Sequence, residues 1–293
     1  MKSVLAVFFS FFVLYLTTMP PALAPYRDTG EMTVSAQTLG VSHPPGYPLY
    51  ILLGHLAQKA PLGNGAYRLT LFSVLAGAGA MAALFAVCRS FWGAPAAVCV
   101  VLLFGLNSTF WSVCLVPEMY SLWVFGAAIL SGLALHLNQR YSERLWLGFA
   151  ALYGLLLANR LDLLLWAPGL LWVALAKNDF DKSSSKKTGL WGFLAFLVFP
   201  ALMLARDSNS PIVPLIVGTA LWLSPGPRFS WALKSVAMAA LGLLAYLYLP
   251  IRSAQGPWLD WNHPAVFSNL MESLLRTKYG GTLDLLSKNY AKG

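Results

Sequence analysis

Long apolar runs separated by short polar patches set the pattern of this chain, and many approach the ~20 residues that a membrane-crossing helix needs. Runs near residues 3–19, 66–88, 95–112, 116–137, 145–158, 161–176, 188–205, 211–223 and 231–251 read as crossings. The pattern therefore predicts an all-α polytopic membrane protein with about nine transmembrane helices. The runs around residues 150, 168 and 217 are short and need cover from neighbouring helices to cross at all. Between the first two runs lies a long loop, 20–65, partly apolar itself ("YPLYILLGHLAQ"), which predicts short helices lying along the membrane surface.

Composition agrees with this pattern. Of 293 residues, 58% are hydrophobic and only 11% charged, against roughly a quarter charged in soluble domains. The net charge of +9 does not form a basic stripe, so nucleic acid is not an expected partner. With the N-terminus inside, Arg89, Arg140, Arg144, the cluster "KNDFDKSSSKK", Arg228 and Lys234 all fall in inner loops, as the positive-inside rule requires. The opening "MKSVLAVFFSFFVLYLTTMPPALA" fits both a cleaved signal peptide and an uncut anchor, and both deliver loop 20–65 to the outer face. Cys88, Cys99 and Cys114 lie in or beside apolar runs without CxxC spacing, which fits packed thiols better than a metal site or disulfide framework. The domain reading is a transmembrane core over 1–251 and an outer-face polar segment over 252–293.

The same parity gathers polar residues on the outer face: Asp28, Glu31, His43 and Tyr47 in the first loop, then Glu118, then Asn159, Arg160 and Asp162, then Arg252, Asp260, Trp261 and His263. Each has an ordinary explanation. Asp28 and Glu31 sit where an N-cap and its capping box would start a helix. "HPPGYP" reads as a stiff turn, which leaves His43 incidental. Glu118 opens a helix, where the dipole favours an acid. Arg252 ends a run and can snorkel to the interface, and Arg160 and Asp162 can neutralise each other. Against this, ionisable groups near membrane depth are costly and mark functional sites. A carboxylate in a membrane-facing cleft can take a proton from an alcohol. Arginine suits a phosphate.

The blocks "DTGEMTVSAQTLGVSHPPGYPLYILLGHLA", "PEMYSL", "YLPIRSAQGPWLDWNHP" and "RTKYGG" resemble one membrane family, first known as a domain of unknown function and tied to a eukaryotic transmembrane protein O-mannosyltransferase. That family resembles the GT-C glycosyltransferases. The resemblance implies an inverting membrane transferase with a polyprenyl- or dolichyl-phosphate sugar as donor, mannose as the best-fitting sugar, and a protein or glycan hydroxyl as acceptor on the non-cytoplasmic face. By position it implies Asp28 and Glu31 as catalytic residues, and His43, Tyr47, Glu118, Asn159, Arg160, Arg252, Asp260 and Trp261 as substrate-binding, with Arg252 on the lipid phosphate. No cofactor is required; a divalent cation held by Asp28 and Glu118 is compatible. Two departures stand. Leu161 and Asp162 replace an expected histidine, and many relatives run longer, so this chain reads equally as a short member or a fragment. Transporter, lipid-carrier flippase and non-catalytic assembly subunit remain open as rival classes.

Overall fold

In a computed structural model of the chain, the structure describes residues 2–175 and 227–279. The first run forms α1 (Lys2–Thr18), and the outer loop folds into α2 (Thr29–Thr38) and α3 (Pro48–Ala57). Next comes the longest element, α4 (Gly65–Gly105), followed by α5 (Ser108–Cys114), α6 (Tyr120–Gln139) and α7 (Glu143–Leu157). A 3₁₀ segment, Leu161–Trp166, leads into α8 (Ala167–Leu175). After the undescribed stretch come α9 (Pro227–Leu243), a 3₁₀ turn at Leu244–Leu247, α10 (Tyr248–Ser253) and α11 (Phe267–Leu275).

The expectation of about nine crossings does not hold. Among the described residues three helices are long and apolar enough to cross a membrane: Gly65–Gly105, Tyr120–Gln139 and Leu233–Ser253. The runs 66–88 and 95–112 lie within one element, Gly65–Gly105, made of two helical segments that meet at a sharp break at Gly93 (φ +81°, ψ 173°) ahead of Pro95. A Cβ on Gly105 would stand 2.9 Å from Met81 Sδ, so the second segment returns along the first. The run at 145–158 becomes the 15-residue α7, about 22 Å long and short of a ~30 Å hydrocarbon layer. Run 161–176 splits into a 3₁₀ segment and the nine-residue α8. The α1 helix is apolar but only 17 residues long. The expected crossings at 188–205 and 211–223 lie outside the described residues. Hydropathy counted greasy stretches without seeing where the backbone breaks.

The chain forms two compact units. One takes Met1–Gly132, Ala158–Leu161 and the chain from Leu244 onward; the other takes Leu133–Leu157 and Asp162–Leu243. In the first, α1 lies along α4. Phe11 and Tyr15 bury against Val74, Ala78 and Met81, and the Tyr15 hydroxyl donates to the Gly105 carbonyl at 2.8 Å. Burying a phenol there is tolerable because its polar tip is satisfied. In the second unit α7 and α9 pack side by side: Trp146 stacks on Trp231 at 4.7 Å, and further along Gly154 meets the Ala239 backbone. Contacts advance together along both helices, so the two run parallel. No Cβ fits at Gly154, where it would stand 1.9 Å from the Ala239 carbonyl oxygen.

Candidate functional site

The site grows from the helix that the first acid should have capped. Asp28 does occupy the N-cap position of α2, but its side chain makes no capping hydrogen bond. Glu31 does not reach back to complete a capping box. It turns to His43 instead, accepting the backbone N–H at 2.5 Å and the ring Nδ1 at 3.0 Å. Local helix chemistry therefore leaves both carboxylates available to tertiary partners. The loop carrying His43 is shaped for this: Gly46 adopts φ +89°, and a Cβ there would stand 2.6 Å from Leu249. Tyr47 follows in a left-handed conformation (φ 45°), which swings its ring alongside His43 at 5.2 Å.

His43 is the hub. Its Nδ1–H is held by Glu31, its Nε2 lies 3.1 Å from the Tyr47 hydroxyl and 3.8 Å from Asp28 Oδ2, and Trp261 presents an edge-to-face ring at 6.5 Å. Burial pushes the Tyr47 phenol well up, so it remains a proton donor toward Nε2. One atom each from Asp28, Glu31 and His43 all lie within 4.8 Å of one another, a half-buried two-carboxylate, one-imidazole set that could coordinate a divalent cation. Glu118 stands behind this set. It is buried, and its Oε1 accepts the Asp28 backbone N–H at 3.1 Å, while Oε2 has no hydrogen-bond partner among the described residues. Burial raises its pKa to about 7, against the opposing pull of the Asp28 N–H.

Asn159 is buried beside the same loop and donates to the Met119 carbonyl at 3.2 Å, while the Leu49 N–H reaches the Ala158 carbonyl at 3.1 Å. These bonds bring Arg160 over the face of Tyr120, with its guanidinium carbon 4.5 Å from the ring centre. Arg27 approaches the same ring at 5.9 Å and Tyr26 at 5.1 Å. Tyr26, Arg27 and Tyr120 also line a mostly apolar groove of about 700 Å³, together with Leu103, Phe104 and Val113. Arg27 and Tyr120 are functional candidates the sequence reading passed over; the signal was a cation directly beside Asp28 in "YRD" and an aromatic beside Glu118 in "EMYSL".

The remaining predicted residues lie elsewhere. Arg252 donates to the carbonyls of Leu39 at 2.9 Å and Thr38 at 3.2 Å, at the C-terminal end of α2. Ten helical residues, about 15 Å, separate that end from Asp28. A cation there satisfies terminal carbonyls and suits the helix dipole. Asp260 accepts from Ser253 at 2.9 Å and pairs with His263 at 2.7 Å, in a loop stitched to Val41 by backbone bonds. From that segment Trp261 reaches the His43 cluster. Asp162 belongs to the second unit.

The family described as the Protein O-mannosyl-transferase TMEM260 N-terminal domain matches residues 28–184, more than half of the chain. The chain belongs to this family. The match opens on Asp28 itself and takes in Glu31, His43, Tyr47, Glu118, Asn159 and Arg160. Among curated relatives, the mouse Protein O-mannosyl-transferase TMEM260 is 34% identical over 145 residues, 49% of this chain. The Dictyostelium discoideum protein of the same name is 40% identical over 53 residues, 18% of this chain. Those alignments span about 20% and 6% of the two relatives' own lengths. No solved structure matches the chain.

Proposed function

We propose that the Asp28 cluster is the reaction centre of a membrane glycosyltransferase that moves a sugar, mannose by family kinship, from a polyprenyl- or dolichyl-phosphate donor to a hydroxyl of a protein or glycan. The observation that carries the reading is the joining of two features. A half-exposed carboxylate that no helix cap engages follows directly on an arginine that lines an apolar groove. The groove takes the isoprenoid chain. Arg27 and Arg160, flanking Tyr120, hold the phosphate, a role their planar guanidinium groups suit. Arg252, engaged at the far end of α2, sets the position of that helix.

In the transfer, the bond between the anomeric carbon and the phosphate oxygen breaks while the acceptor oxygen attacks from the opposite face, inverting the configuration. Asp28 accepts the acceptor's proton as that oxygen's charge changes. The departing phosphate keeps the bonding pair and rests against the two guanidinium groups, which act as preorganised positive charge. His43, held by Glu31, and Tyr47 border the carboxylate and orient it. A divalent cation in the Asp28, Glu31 and His43 set would add charge stabilisation for the same phosphate when bound. The reaction side is the non-cytoplasmic face, in keeping with the charge bias of the loops.

The test is Asp28→Asn, assayed in proteoliposomes with polyprenyl-phosphate mannose and acceptor peptides. Transfer falls about 10²- to 10⁴-fold, the range of general-base removal, while donor binding persists. Near-normal transfer by this variant overturns the assignment.

A further inference from the structure

On α11, Ser273 is buried (3% exposed), and the Asn262 side-chain amide donates to the Asn269 carbonyl at 2.9 Å and to Ser273 Oγ at 3.1 Å. Asn269 and Ser273 thus meet the protein, while Ser268 stays exposed and Glu272 pairs with Lys278 at 3.5 Å at the surface. Phe267 (74% exposed), Met271 and Leu275, spaced four apart along one stripe, also face outward, and Trp258 in the preceding loop is 83% exposed. In water an amphipathic helix buries its apolar stripe. Something apolar must cover this one.

The chain around it says what. α11 packs against α10, the end of the apolar helix Leu233–Ser253. That helix carries its own exposed stripe, Leu244, Leu247 and Ile251, ending just before Trp258. The apolar surface is therefore continuous in sequence from a helix long enough to cross a bilayer into α11. Tryptophan and phenylalanine at such a boundary are the side chains of a membrane interface.

We propose that α11 is an interfacial helix, seating Phe267, Met271 and Leu275 in the leaflet that Leu233–Ser253 reaches, with Trp258 as a neighbouring anchor. Its depth then sets the level of the loop 259–263, and through Trp261 the level of His43 relative to the lipid headgroups.

The full chain with the exposed Cys99 changed to serine is reconstituted in phosphatidylcholine vesicles, with an environment-sensitive fluorophore on Phe267→Cys or, as a solvent-facing control, on Lys59→Cys. Shallow spin-labelled lipid quenches the label at 267 several-fold more than at 59, while aqueous iodide does the reverse. Met271→Cys and Leu275→Cys read the same face should Phe267→Cys not fold. Equal iodide access at the α11 positions and at 59 overturns the proposal. So does lipid shielding that disappears on dilution of the protein in the bilayer, which would mean that a second copy covers the stripe.

Discussion

Two acid–histidine pairs lie in segments far apart in sequence that backbone bonds join at Val41, and their surroundings differ. Around His43, the imidazole is 13% exposed, its two nitrogens face different partners, and an arginine-flanked apolar groove begins one residue away from Asp28. Around His263, the ring is 58% exposed, and Ser253 and Asp260 both meet the same nitrogen, Nδ1. The second cluster has the residue types of a catalytic triad but not its geometry, since a relay needs the acid and the nucleophile on opposite nitrogens. The loop that carries it, 259–263, is joined to Val41 by backbone hydrogen bonds. Residue type does not tell the two clusters apart; the division of the ring's two nitrogens between partners does.

The largest effect expected from breaking this comparison is on turnover. Asp28→Asn abolishes most transfer, whereas Asp260→Asn keeps turnover within a few-fold and lowers thermal stability by about 1–3 kcal/mol, the cost of one weakened buried contact. Parallel transfer assays and melting curves in detergent decide between them. Next, Glu31→Ala strands the His43 backbone N–H and frees the ring. Stability falls by about 1.5–3 kcal/mol, and turnover drops further than donor affinity.

A pH series sharpens the contrast from behind the site. Glu118 has a folded-state pKa of about 7, above the 4.5 of an unburied glutamate. Between these values the folded chain binds more protons than the unfolded one. This group's stabilisation is therefore complete below about pH 4.5 and is lost as pH rises toward and through 7. Glu118→Gln removes that fall, so wild type and variant converge at low pH and separate above neutrality, by of order 1–3 kcal/mol in melting free energy. A parallel shift at every pH would refute burial as the cause. The smallest effect belongs to Arg252→Ala, which leaves the terminal carbonyls of α2 without their cation and costs about 1 kcal/mol. Its donor Michaelis constant stays near wild type, whereas a large rise would return the phosphate role to Arg252.

Much of the first loop was legible in the chain. The helix start at Asp28, the helical run around Leu49, and the concentration of acids and His43 in one block were all readable from spacing and residue type. The use of those residues was not. Capping-box spacing at Asp28 and Glu31 is a true local signal, but Glu31 was claimed by a histidine twelve residues on, and no periodicity encodes that choice. Arg252 joins α2 at the end opposite Asp28, and no local pattern encodes which end it meets.

By itself the sequence determined the helical class, the apolar runs, and the presence of a cluster-forming block that places the chain in its family. Hydropathy and turn chemistry are local quantities, summed over a few neighbouring residues, so they survive in one dimension. Only tertiary structure decided how many of those runs become full-length helices, that Arg160 joins Arg27 at the Tyr120 ring, and which of two histidines divides its ring nitrogens between partners. Those outcomes depend on contacts such as the Asp28–Glu118 hydrogen bond, 90 residues apart in the chain, whose energies come from packing and burial that no local pattern contains.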